Sequence, residues 1–240
     1  MKKFIVVFCL FLSLFLTAAA FAAPEIQEQL ELIADNTGLW KQDVDYGSWG
    51  YTMTDLDQNG YLEIISASLQ GTGMYTYLNV FTVDPDGNGL RKAEQDRPEQ
   101  ESAPDVMQEI VPAFFDPETE VYYYVFSDFI RNGYAENFEN KRAVWLENET
   151  WKELSLANKH TVCTDTENCT DTYTDPDGNE ISAEQFGSAE DTRFAGLSKG
   201  TLTLTWNMTD NESFAGITRE ELLGNLANIG QPELLPESAQ

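Results

Sequence analysis

The chain has 240 residues, with 41 Asp and Glu against 14 Lys and Arg and a formal net charge of −27 at neutral pH. Such an acidic balance excludes nucleic acid as a partner, because that binding neutralises phosphates with clustered cations, and it disfavours anionic lipid for the same reason. It suits a well-solvated surface, and its self-repulsion favours uptake of divalent cations.

Lys2 and Lys3 open the chain, followed by the apolar run Phe4 to Leu16 and the small residues Thr17 to Ala23. That is the pattern of a secretory signal. Ala20-Phe21-Ala22 satisfies the small-x-small rule, so residues 1–22 are expected to be removed and the product exported to the periplasm or the extracellular space. No later stretch reaches the roughly 20 apolar residues a spanning helix needs, so no membrane insertion is expected after signal removal. Cys9 lies within the signal. Cys163 and Cys169, six positions apart in a polar segment, are expected to form a local disulfide in an oxidising compartment.

Residues 23–231 are expected to form a single domain, since 42% apolar content over this length suffices for a good-sized core. Ile26, Leu30, Ile33 and Ala34 recur at helical spacing, and Asn36-Thr37-Gly38 ends that helix. Trp49, Tyr51 and Met53 alternate as a strand, and Leu62 to Leu69 form a second. Together they predict a hairpin near residues 49–69. Met74 to Val83 and Leu90 to Ala93 read as further strands around the turn at Asp84 to Gly89, and Glu94 to Pro104 as a surface loop. Pro112 limits any helix in Val106 to Phe115 to about two turns. Val121 to Phe129 is apolar enough for burial on both faces.

Lys141 to Glu147 and Trp151 to Leu156 predict a hairpin across Asn148-Glu149-Thr150, and Thr201 to Trp206 a last strand. Ser182 with Gln185, and Thr218 with Glu221, have the spacing of capping boxes, the second opening a helix that ends near Asn228. Residues 232–240 read as a flexible acidic tail. Strands outnumber helices and short turns join them, so the fold class is α+β: a mainly antiparallel sheet with a few short helices packed on it.

The segment between the first two strands carries the chemistry. Asp55, Asp57 and Asn59 offer oxygens at alternate positions, Gly60 permits a sharp turn, Tyr61 adds a carbonyl and Glu63 closes the cage. Hard oxygen ligands at this spacing suit Ca²⁺. Strands rather than helices flank the loop, and Ser66 stands where an EF-hand requires its bidentate Glu, so the EF-hand reading fails. Asp-x-Asp-x-Asn-Gly-x-x-Glu followed by Ile64-Ile65 resembles the calcium loops of FG-GAP and VCBS-type repeats. More widely, with Tyr75 to Asp86, Ser127 to Tyr134 and Asp177 to Ser182, the chain looks like exported bacterial proteins of unassigned function with a single such loop. The resemblance implies that Asp55, Asp57, Asn59 and Glu63 bind by side chain and Tyr61 by carbonyl. A propeller repeats its blade, and one convincing loop does not make a complete propeller.

Two further loops repeat half of this spacing. Asp84, Asp86 and Asn88 form one candidate, opposed by Lys92 at the position matching Glu63. Asp175, Asp177 and Asn179, with Glu184 in reach, form the other. Tyr122, Tyr124 and Tyr134 beside Asp128 and Arg131 suggest a ligand face, or else core packing with a salt bridge at its edge. His160 has no nucleophile motif near it, and no catalytic residue is assigned. The sequence points to a non-catalytic binding module with calcium as a structural clamp and a protein or glycan of the cell envelope as partner. The competing reading is a hydrolase of envelope or glycan polymers.

Overall fold

The computed structural model describes residues 23–44, 47–70, 75–96, 105–133, 135–165, 168–229 and 234–236. The expected signal at 1–22, the turn at 71–73 and Tyr134 lie outside them.

The helix α1 (Ile26–Asp35) turns Leu30, Ile33 and Ala34 inward, and the single turn α2 (Thr37–Trp40) follows. Strands β1 (Trp49–Thr54), β2 (Glu63–Gln70), β3 (Tyr75–Val83) and β4 (Leu90–Lys92) then run up and down as an antiparallel meander. The short β5 (Glu94–Asp96) leaves this sheet for another. There β6 (Ile110–Asp116), β7 (Val121–Asn132), β8 (Glu136–Glu147), β9 (Thr150–Cys163) and β10 (Cys169–Thr174) form a second, larger meander. Helices α3 (Ala183–Gly187) and α4 (Ala189–Arg193) lead to β11 (Ser198–Thr203), which pairs with β6. The strand β12 (Asn207–Thr209) returns to β1, the helices α5 (Asn211–Ala215) and α6 (Arg219–Ile229) follow, and β13 (Leu234–Pro236) pairs with β11.

The strand orders are β12-β1-β2-β3-β4 and β10-β9-β8-β7-β6-β11-β13, with β5 on β9. The two sheets pack face to face. Ile65, Ala67, Leu78 and Val80 of the first meet Val111, Tyr124, Phe126, Val144 and Leu202 of the second in one buried cluster. The other face of the small sheet is covered by α1, α2, α5 and α6 around Trp40, Trp49, Tyr51 and Phe214, whose rings lie 4.8–6.3 Å apart. On the outer face of the large sheet, Phe194 beyond α4 packs on Phe114, Val125, Ala143 and Leu156. The antiparallel α+β class holds, and neither sheet closes into a propeller.

Both capping boxes form. Ser182 accepts from the Gln185 N–H while Gln185 accepts from the Ser182 N–H. Thr218 and Glu221 do the same at the start of α6. Asn148 and Glu149, at φ 52° and 59°, make the tight turn between β8 and β9.

Three expectations need correction. Residues 110–116 are a strand. Leu204 N–H donates to Glu109 C=O, and alternation from that pair turns the Pro112 nitrogen toward β7, whose ladder begins only at Ala113. The proline therefore interrupts no bond to β11 and stands where the β6–β7 ladder ends. Glu94–Asp96, expected in a surface loop, pairs in parallel with Thr150–Lys152. Leu234–Pro236 is a strand within the expected flexible tail.

Candidate metal centre

The ladder between β1 and β2 ends at Thr54 opposite Glu63, so residues 55–62 fold back between paired positions. Gln58 at φ 57° and Gly60 at φ 92° supply the left-handed reversal. Asp55 then holds the loop: Oδ1 accepts from the Asn59 N–H at 2.9 Å and Oδ2 from the Gly60 N–H at 2.8 Å. The Asn59 amide donates to Asp57 Oδ2 at 2.9 Å, and its Oδ1 accepts from the Tyr61 N–H at 2.7 Å.

This folding gathers Asp55, Asp57 and Glu63, each offering one oxygen within 4.8 Å of the others. Glu63 is fully buried because it opens β2 on the side that faces the large sheet. Its Oε2 accepts from the Leu56 N–H at 2.6 Å. Its Oε1, and Oδ1 of Asp57, are buried without a hydrogen-bond partner. Burial pushes Asp57 up to about 6, helped by the neighbouring charge of Asp55. Burial and then the charge of Asp57 push Glu63 well above the carboxylate range. Asp55 is also raised by burial, against the N–H groups of Gly60 and Asn59. Three carboxylates so close destabilise one another when ionised, and a cation among them removes that repulsion.

Two residues that the sequence analysis did not single out brace the loop. Gln29 of α1 is fully buried. Its Oε1 accepts from the Leu62 N–H at 2.8 Å, and its Nε2 donates to Gly60 C=O at 2.9 Å and Pro24 C=O at 3.0 Å. The readable sign was a glutamine within the apolar stripe of Ile26, Leu30 and Ile33. The other brace is Tyr124, whose hydroxyl donates to Leu56 C=O at 2.7 Å. Nothing local marks it, because the partner lies in the facing sheet.

The other candidate positions behave differently. At Asp84 and Asp86 a guanidinium already sits in the loop: Arg91 lies 2.6 Å from Asp84, 3.0 Å from Asp86 and 3.1 Å from Glu149. Asn88 is exposed, and Lys92 lies over the Phe81 ring. Asp175 is satisfied within its own turn, accepting from the N–H groups of Asp177 and Asn179 and from the Asn179 amide, while Glu184 is exposed. Among the described residues, only Asp55, Asp57 and Glu63 form a group of three or more acidic, His or Cys ligands.

The expected ligand face is not one surface. Tyr122, Tyr124 and Asp128 lie on the inner side of β7, with Tyr124 fully buried and Asp128 nearly so. Arg131, at odd parity, points outward over Phe129. Asp128 instead accepts from the Asp105 N–H and faces Arg142 at 3.5 Å. His160 stacks on Phe138 at 4.5 Å and meets Glu136 at 2.8 Å as a surface pair. Cys163 and Cys169 are disulfide-bonded and stand opposite each other in the β9–β10 ladder.

Fold and site together define a two-sheet antiparallel α+β protein with a strand-flanked carboxylate loop. No protein-family model, no curated protein and no solved structure matches the chain. Among the described residues, no helix is long and apolar enough to cross a membrane.

Proposed function

We propose that this chain is an exported calcium-binding interaction module in which the ion clamps the β1–β2 loop against α1 and the large sheet. The observation that carries this reading is the pair of buried, partnerless oxygens, Glu63 Oε1 and Asp57 Oδ1, beside Asp55. A buried carboxylate oxygen without a donor is costly, and a cation satisfies several at once. The donor set is all hard oxygen, which favours calcium over softer metals. Asp55, Asp57 and Glu63 would hold the ion, with Asn59 and the Tyr61 carbonyl completing the shell, as in the FG-GAP-like loops that the motif resembles. Export is supported by the pattern of residues 1–22 and by the disulfide. The partner proposed is a protein or glycan of the cell envelope.

The test is a melting curve in EDTA and again with calcium. Calcium at 100 times its Kd adds about 2.7 kcal/mol, which raises the Tm of a chain this size by about 5–10 °C. Asp57→Ala and Asp57→Asn should abolish the response. A wild-type curve indifferent to calcium would sink the proposal.

A further inference from the structure

We propose that the outer face of the large sheet binds an acidic oligosaccharide, with Arg193 pairing the sugar carboxylate. This goes beyond the calcium loop, which lies on the other side of that sheet.

The outer face is covered by α3, which packs Phe186 against Tyr173 of β10, and by α4 and the turn after it, which seat Phe194 on Phe114, Val125 and Leu156. Two depressions border this cover. One, of about 300 Å³, is lined by Tyr123, Trp145 and Asp116. The other, of about 360 Å³, runs over Leu154 and Leu156. Arg193 borders both. Each volume falls at the small end of ligand sites, and the two depressions share Leu154 and Arg193 in their linings.

The charges of α4 explain why Arg193 is available. Lys141 reaches up from β8 to Glu190 at 2.7 Å and to the Gly187 carbonyl at 3.0 Å, and Lys199 of β11 holds Asp191 at 2.8 Å. Both acids of the helix are therefore committed, and the helix is fixed at two points. Arg193 is exposed and has no ion pair among the described residues. Arg91, Arg142, Lys152, Lys159 and Arg219 are each held by a carboxylate, whereas Arg193, like Arg131 and Lys92 over their aromatic rings, has none among the described residues.

The two depressions differ in chemistry. No carboxylate lines the one over Leu154 and Leu156, so an anion there meets Arg193 unopposed. The other presents Tyr123 and Trp145, 5.2 Å apart, as an aromatic floor. Asp116 at its edge repels a second anion and accepts from hydroxyl groups. An acidic ring followed by a neutral, hydroxyl-rich ring satisfies both, whereas a run of acidic residues in a peptide does not.

The probe is a hyaluronan tetrasaccharide, in which glucuronate alternates with a neutral sugar, titrated against the disulfide-bonded protein. Its methyl ester, which lacks the charge, should bind at least about tenfold more weakly, and Arg193→Gln should lose the acid form by a similar factor at unchanged Tm. Trp145→Leu should weaken both forms several-fold. The proposal is overturned by equal affinity for acid and ester, by full affinity in Arg193→Gln, or by no binding at about 5 mM. Displacement by pentaglutamate would assign the two depressions to acidic peptides and overturn the sugar. The titration is run with calcium and with EDTA. Equal affinity in both is expected, and calcium-dependent affinity would place the carboxylate at the metal loop and overturn the assignment.

Discussion

The Tyr124 hydroxyl donates to the Leu56 carbonyl at 2.7 Å across the interface between the sheets, while the N–H of the same Leu56 donates to Glu63. One residue of the loop thus connects the carboxylate cluster to the centre of the facing sheet. Tyr124→Phe keeps the ring and leaves a buried carbonyl unpaired, so it should cost about 1–3 kcal/mol in urea unfolding. Because the loop loses its brace, calcium affinity measured by titration should fall several-fold. Wild-type calcium affinity in this variant would show that the loop is held without the facing sheet.

The pH dependence of the calcium effect has a definite sign. Carboxylates whose pKa is raised by folding favour the native state while protonated. Their contribution is complete below the unfolded value near 4 and is lost as pH rises through the folded value, about 6 for Asp57. In EDTA the loop should therefore weaken the fold increasingly from about pH 4 to 6 and above. Calcium requires the ionised ligands, so the calcium-induced rise in Tm should grow across the same window. Paired melting curves along a pH series check this, and a calcium effect that shrinks with rising pH would contradict it.

Asp128 and Arg131 should separate cleanly by mutation. Asp128 is buried and accepts from the Asp105 N–H beside Arg142, so Asp128→Ala should cost about 1–3 kcal/mol in guanidinium unfolding. Arg131 is exposed over Phe129, and Arg131→Ala should stay within about 0.5 kcal/mol. Equal losses would mean that the two side chains share one environment after all.

The disulfide closes a short loop at the edge of the large sheet, far from either sandwich core in the strand order. Chain-entropy arguments give about 2 kcal/mol for so short a loop. Since β10 pairs only with β9 among the described strands, the Cys163→Ala/Cys169→Ala variant should lose hydrogen-exchange protection chiefly in residues 158–174. Amides of β2 and β7 should keep theirs. Uniform loss across both sheets would show that the hairpin is coupled to the cores.

Much of this organisation is local and was legible along the chain. Trp49, Tyr51 and Met53 alternate because one side of β1 meets the helices. Asn148-Glu149 turns as a two-residue hairpin loop with both residues left-handed, a conformation that Asn accepts readily and that the flanking strand pairing imposes on Glu149. Ser182 and Thr218 cap because their partners lie three residues on. The spacing of Asp55, Asp57 and Glu63 belongs to the same group, since a tight loop between paired strands brings such positions together whatever surrounds them.

What the chain order hides is which distant groups meet. Pro112 reads as a helix limit until the one-sided ladder of β6 shows that its nitrogen needs no partner there. Asp128 and Arg131 look like neighbours until strand alternation places them on opposite faces. Gln29 and Tyr124 acquire their roles only where α1 and β7 arrive beside residues 56–62. Local hydrogen-bonding needs and side-chain periodicity are properties of short segments, so the sequence alone determined the strands, caps and carboxylate loop. Burial, and with it the raised pKa values and the partnerless oxygens of Asp57 and Glu63, comes from excluding water between layers far apart in sequence, and that only the tertiary structure decided.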